Sequence, residues 1–204
     1  MMNDFVMKDE YIDYALTSFK VESESILATG EAMDRDEFKR AVVALANADR
    51  IAASGCGHSG IACRHFAHLM CCIDLPARFL SPAEAPHGGL GFIHEGDVLL
   101  VVSRGGKTDE LITIVDVAKQ KGATIICVTE KLESPLALMS DIKLKMAITR
   151  ECDKYNCQGT TSFAVTNAIF DALQSALVEY TGYQNETFAL IHPGGAVGKR
   201  LNNK

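Results

Sequence analysis

The chain has 204 residues, 48% of them apolar and 23% charged, the balance of an ordinary globular protein that can fold as one domain. At this size roughly 70% of the unfolded surface can be buried, so disulfide or metal staples are not needed. Twenty Lys and Arg against 26 Asp and Glu give a formal charge of −6, which excludes the broad basic face of a general nucleic-acid binder and still permits an anion site built from backbone amides.

Residues 1–10 carry early acids and lack the apolar stretch of a signal peptide. Residues 8–28 place Ile12, Ala15, Phe19 and Ile26 at helical spacing among many acids. Residues 36–48 form a second amphipathic helix with Phe38, Ala41, Val42, Leu45 and Ala46 on one side. The period then changes. Residues 50–54 are short, apolar and closed by a glycine-rich turn, which suits a buried parallel strand. Further strands are expected at 77–80, 97–103 and 123–129, and 142–148 alternates Lys with apolar residues as an edge strand does. Helices are expected at 60–73, 108–121 and 134–139, and a long apolar helix at 160–180 stops near Gly182. Strand–helix–strand alternation implies right-handed crossovers and a parallel sheet covered on both faces. The predicted fold is α/β, a three-layer αβα sandwich with about five parallel strands over 35–204 and a helical extension over 1–34. The longest apolar runs, such as 98–102, are too short to cross a bilayer. Seven cysteines, an odd number, spread over segments that read as buried, fit free thiols in a reducing compartment. A cytoplasmic protein without membrane contact is expected.

In an open parallel sheet, ligands bind beyond the carboxyl ends of the strands. Two loops there are glycine-rich. The first, Ser54-Gly-Cys-Gly-His-Ser-Gly60, matches the dinucleotide pattern at Gly55, Gly57 and Gly60, but the acid expected at the end of the next strand is missing from 77–82. The second, Ser103-Arg-Gly-Gly-Lys-Thr108, brackets two glycines and two cations with hydroxyls, directly before a helix. Its glycines allow a tight turn, and the helix's first amides can then converge on one anion. By itself the loop also fits a polar strand–helix turn with an ordinary cap. Cys63, His65, His68, Cys71 and Cys72 share one helix, but no C-x-x-C pair exists and no metal site is predicted.

The two loops, the segment Pro82-Ala-Glu-Ala85 and His87-Gly-Gly-Leu-Gly91 together resemble the SIS (sugar isomerase) domain family, whose fold is flavodoxin-like. Arg150-Glu-Cys152, the hydroxyl run Thr160-Thr-Ser162 and the tail His192-Pro-Gly-Gly-Ala-Val-Gly198 look like its arabinose-5-phosphate isomerase branch. The resemblance implies a phosphate loop formed by Ser103, Arg104, Gly105, Gly106, Lys107 and Thr108. Gly57, Ser59, His87, Thr160, Thr161 and Ser162 would line the sugar phosphate. It implies catalytic roles for Glu110, Glu151 and His192, with His58 where the family usually has lysine. Two further departures are Gly105 for the second serine of the phosphate loop and Gly89 for the aspartate of a His-Gly-Asp motif.

The implied reaction is aldose–ketose isomerisation through a cis-enediol, which needs no metal and no cofactor. D-arabinose 5-phosphate and D-ribulose 5-phosphate are the expected pair. A non-catalytic sugar-phosphate sensor and an isomerase of another phosphosugar, such as 3-hexulose 6-phosphate, are the alternatives. Retention of Glu110, Glu151 and His192 together speaks for turnover. The resemblance also implies a homodimer or homotetramer, in which His192 serves a neighbouring subunit's site. Many relatives in the branch continue past the His-Pro-Gly-Gly segment into paired CBS domains. With a chain that stops at Lys204, a bare isomerase domain is expected.

Overall fold

Five short apolar segments build the sheet. In a computed structural model, which describes residues 6–202, they are β1 (Ile51–Gly55), β2 (Ala77–Phe79), β3 (Val98–Val102), β4 (Thr124–Thr129) and β5 (Ile142–Lys145). Residues 1–5 of the expected extension, and 203–204, lie outside the described residues. The helices are α1 (Asp9–Ala32), α2 (Arg35–Ala46), α3 (Gly57–Cys72), α4 (Asp109–Gln120), α5 (Pro135–Met139), α6 (Thr161–Thr181), α7 (Asn185–Ile191) and α8 (Gly195–Asn202). All strand pairs are parallel, in the order β2-β1-β3-β4-β5. This is the flavodoxin-like order, and β5 lies at an edge as its Lys alternation predicts.

Every residue of β1 and β3 is buried, as strands covered on both faces require. Side chains alternate between two layers. Ile51, Ala53, Val98, Leu100, Val102, Ile126 and Val128 pack with Leu45 of α2, Phe66 and Met70 of α3 and Phe170 and Leu173 of α6. The intervening Ala52, Leu99, Val101, Ile125 and Cys127 meet Leu111, Ile114 and Val115 of α4 and Leu136 of α5. The sequence periodicity therefore reads correctly as a three-layer sandwich.

Three local expectations change. The first loop is shorter than predicted, because α3 starts at Gly57 rather than at residue 60. Gly57, His58 and Ser59 thus form its first turn. The tail carries two helices, α7 and α8, that apolar spacing did not mark. The apolar residues whose spacing marked α1 are not its buried face: Ile12, Phe19 and Ile26 are exposed, whereas Val21, Ser25 and Thr29 are buried.

Hydrogen bonding explains that last change. Thr29 Oγ1 accepts from the Ala147 amide at 2.9 Å and donates to its carbonyl at 3.3 Å. Ser25 Oγ accepts from the Thr149 amide at 3.3 Å and pairs with the Thr149 hydroxyl at 2.9 Å. One helical turn rises about 6 Å over four residues and two extended residues span about 6.6 Å, so the two hydroxyls meet alternate residues beyond β5. They satisfy backbone groups that no sixth strand reaches.

Candidate functional site

β1 turns away to β2 on one side while β3, β4 and β5 run to the other, so the order reverses between β1 and β3. The register pairs Ser54 with Val101 and Gly55 with Val102, so both strands end together. The two glycine-rich loops therefore leave the sheet side by side.

The first loop is held by close approach. A Cβ on Gly60 would lie 2.5 Å from the Gly55 carbonyl oxygen, so only glycine lets α3 start this near β1. The cleft above it, about 420 Å³, is lined by Gly55, Cys56, Gly57, Ile61, Arg64, Ser81 and Glu110, among others. Burial and then the nearby Glu110 carboxylate push the Cys56 thiol pKa up. A larger cavity of about 470 Å³ between α1, α2 and α6 is lined by residues such as Ile26, Phe38 and Ala168 and by no carboxylate, histidine or thiol. Its titratable lining is limited to Arg35 and Lys39.

The second loop is a braced turn. Ser103 Oγ accepts from the Gly106 amide at 3.1 Å and pairs with the Thr108 hydroxyl at 2.9 Å. The Arg104 carbonyl accepts from Thr129 Oγ1 and from the Glu130 amide, each at 3.1 Å. Gly106 has φ +63°, and a Cβ there would overlap the Ser134 hydroxyl. Among the described residues the amides of Gly105, Lys107 and Thr108 meet no protein acceptor. With the first amides of α4 beyond them, these unpaired donors have the chemistry to receive an oxyanion. Lys107 is exposed at its rim.

Glu151 follows β5 as predicted, but it is not a solvated loop acid. It is 1% exposed. Its Oε1 accepts from Arg104 Nη1 at 2.6 Å, and its Oε2 accepts from the Ser162 amide at 3.1 Å and Thr160 Oγ1 at 3.3 Å. The carboxylate therefore sits at the positive end of α6 and beside a guanidinium. Its backbone amide donates to Asn156 Oδ1 at 2.7 Å. A carboxylate has about four acceptor positions, so one on Oε1 stays open for a proton. Buried Thr161 lies next to this group in α6, and its hydroxyl pairs with Cys152 Sγ at 3.3 Å.

Arg104 was expected to face a phosphate, yet its guanidinium is held by Glu151 and by Glu130, whose Oε2 accepts from Nε at 2.8 Å. Burial raises the Glu130 pKa, but hydrogen bonds from Lys131 and Arg104 outweigh it and hold the group below the usual carboxylate range. Sequence reasoning missed Glu130 and Asn156. Glu130 had a findable signal, since it directly follows β4 on the carboxyl edge of the sheet; Asn156 had none.

The other predicted residues divide into two groups. His58 is brought to the start of α6: its ring meets Phe163 edge-on at 6.0 Å and lies against Gly159. With Gly57 and Ser59 it faces the same sheet edge as Glu151. His87 is exposed at the end of a short 3₁₀ turn (Ala85–His87). His192 ends α7, bonded through Nδ1 to the Phe188 carbonyl at 3.1 Å and stacked on the Phe188 ring at 3.8 Å. Among the described residues its partners include neither Glu110 nor Glu151. No group of three or more His, Cys, Asp or Glu among the described residues could hold a metal ion.

Comparison with known proteins adds ancestry to this geometry. The SIS domain model matches residues 44–176. Arabinose 5-phosphate isomerase KdsD of Pseudomonas aeruginosa is 34% identical over 192 residues, covering 94% of this chain and 59% of that protein. Arabinose 5-phosphate isomerase KpsF of Escherichia coli is 33% identical over 193 residues, covering 92% of this chain and 59% of that protein. The chain thus spans less than two thirds of the length of these curated relatives. Among solved structures, an E. coli CFT073 protein in complex with arabinose 5-phosphate is 25% identical with a TM-score of 0.86, covering 92% of this chain and 100% of that one. A Listeria monocytogenes protein, described only provisionally as a sugar-phosphate isomerase, is 34% identical with a TM-score of 0.90, covering 93% of this chain and 100% of that one.

Proposed function

Because the chain belongs to the SIS domain family, we propose that it is an aldose–ketose isomerase interconverting D-arabinose 5-phosphate and D-ribulose 5-phosphate. The observation that carries this reading is a buried carboxylate, Glu151, joined through Arg104 to an amide-lined loop at the switch point of the sheet. The names of the relatives and the arabinose 5-phosphate complex of the E. coli structure support the substrate.

In the proposed reaction the amides and hydroxyls of 103–108 take the phosphate, with Lys107 at the rim. Glu151 removes the C2 proton of the open-chain aldose while an acid protonates O1, giving the cis-enediol. The enediol then loses its O2 proton and receives a proton on C1, which completes the ketose. His192 moves the oxygen-bound protons, with Glu110 supporting its charge. His58 stands where the usual lysine would stabilise charge on oxygen, Thr160 and Ser162 hold Glu151, and His87 and Ser59 line the sugar. No metal or cofactor takes part in this scheme.

His192 reaches the site from a second copy of the chain, so the working unit is a homodimer or homotetramer. The uncovered apolar side chains of α1, among them Ile12, Leu16 and Phe19, support association. A cytoplasmic setting fits the seven free thiols, and no helix of the described residues is long and apolar enough to cross a membrane.

Incubation with ribulose 5-phosphate in deuterated water tests the reading: arabinose 5-phosphate carrying deuterium at C2 is expected. Glu151→Gln is expected to lower kcat by about 10²–10⁴-fold, the usual contribution of a general base. Binding of the phosphosugar without exchange or product would leave a sensor instead.

A further inference from the structure

Arg104 occupies a place in the phosphate loop, yet its side chain spans two carboxylates from different strand ends. Nε serves Glu130, which follows β4, and Nη1 serves Glu151, which follows β5. We infer that Arg104, braced by Glu130, is a positioning residue that aims the Glu151 carboxylate, and that it is not a contact to the substrate phosphate. This rests on the isomerase reading above.

Three observations carry it. The Glu151 side chain is only 2% exposed, and its one cationic partner among the described residues is Arg104. If a phosphate drew the guanidinium away, a buried carboxylate would lose its counter-charge, which is far costlier than never forming the pair. Second, Arg104 is fixed at both ends. Its carbonyl is held by Thr129 and Glu130, and its guanidinium is forked between two acids, a geometry that a lysine cannot reproduce. Third, Glu130 also accepts from the exposed Lys131 at 2.8 Å, so charge alternates along Lys131–Glu130–Arg104–Glu151. Lys107, exposed and without an ion-pair partner among the described residues, is the cation left to the phosphate.

The loop that receives the phosphate thereby also sets the base. Moving Arg104 would misplace Glu151 relative to C1 and C2 without altering the amides that hold the phosphate.

The test compares wild type, R104Q, R104K, E130Q, E151Q and R104Q/E151Q. Turnover of ribulose 5-phosphate gives kcat and KM, and calorimetry with D-arabinitol 5-phosphate, which cannot isomerise, gives binding alone. R104Q should lower kcat about 100-fold, the cost of roughly 1 Å of misplacement. Its KM and arabinitol 5-phosphate affinity should stay within about threefold, since ground-state binding is untouched. R104K should recover part of kcat, and E130Q should lower it about tenfold with binding unchanged. R104Q/E151Q should be no slower than E151Q, because Arg104 then has nothing to position. If R104Q fails to fold, E130Q and R104K carry the same kcat-against-KM comparison. An R104Q that keeps kcat but weakens arabinitol 5-phosphate tenfold overturns the proposal and makes Arg104 a phosphate contact. A wild type that exchanges no deuterium sinks the isomerase reading and the proposal together, whereas an active wild type matched in kcat by R104Q sinks the proposal alone.

Discussion

At Gly105 an added Cβ would meet no heavy atom within 4 Å, so the serine usual at that position would fit. Gly105→Ser is expected to leave the fold intact and lower KM for the phosphosugar about fivefold, the worth of one added hydrogen bond near 1 kcal/mol. Steady-state kinetics checks it, and a raised KM would show that the hydroxyl does not face the phosphate. Gly89 is different. A Cβ there would lie 3.0 Å from the Glu84 carbonyl oxygen, so the aspartate usual in the family needs a backbone shift in this chain. Gly106, one position further along the loop, combines φ +63° with overlap on Ser134. Gly106→Ala should cost about 2–4 kcal/mol in urea unfolding, from backbone strain plus overpacking. Adjacent glycines in one loop thus carry opposite tolerances, a distinction absent from the letters Gly-Gly.

On the scale of elements, α1 is fastened by hydroxyls rather than by its apolar stripe. Ser25 and Thr29 bond the backbone at 147 and 149, directly ahead of Glu151. The double variant Ser25→Ala with Thr29→Ala should lose about 1–3 kcal/mol of stability by denaturant unfolding, since each side chain gives up hydrogen bonds to part-buried groups at 147 and 149. Hydrogen exchange should quicken at the amides of Ala147 and Thr149 before it quickens in β3. Uniform exchange across the sheet would count against this account. The α1 periodicity was legible, but its meaning was not. Spacing reports which residues share a face, whereas the partner across that face decides whether the face is inward.

At the scale of the whole molecule, His192 bonds and stacks on Phe188 of its own helix and, among the described residues, pairs with neither of the two glutamates with which it would act. If a second copy supplies it, inactive Glu151→Gln and inactive His192→Gln chains should complement when mixed and allowed to exchange subunits. Activity should recover to about a quarter of wild type for random dimers, because only sites with both native residues turn over. Failure to recover any activity in verified mixed oligomers would place the histidine in its own chain's site. Sedimentation should show Phe19→Asp and Leu16→Asp shifting the oligomer toward monomer, as charge placed in an apolar contact opposes association.

Much of the architecture was readable because it is written in near neighbours. Runs such as Val98–Val102 announce buried strands, and alternation along them assigns each side chain to a layer. The glycine and hydroxyl spacing of 103–108, the residue types at 110, 151 and 192 and the family resemblance pointed to a phosphosugar site before any fold was drawn. Only the tertiary structure decided what those residues touch. Arg104 lies 26 residues from Glu130 and 47 from Glu151, and strand order alone brings the three together. Burial of Glu151 likewise depends on α6 arriving with its amide end toward the acid. Local propensity acts over a few residues, whereas ion pairing and desolvation depend on distances set by the sheet.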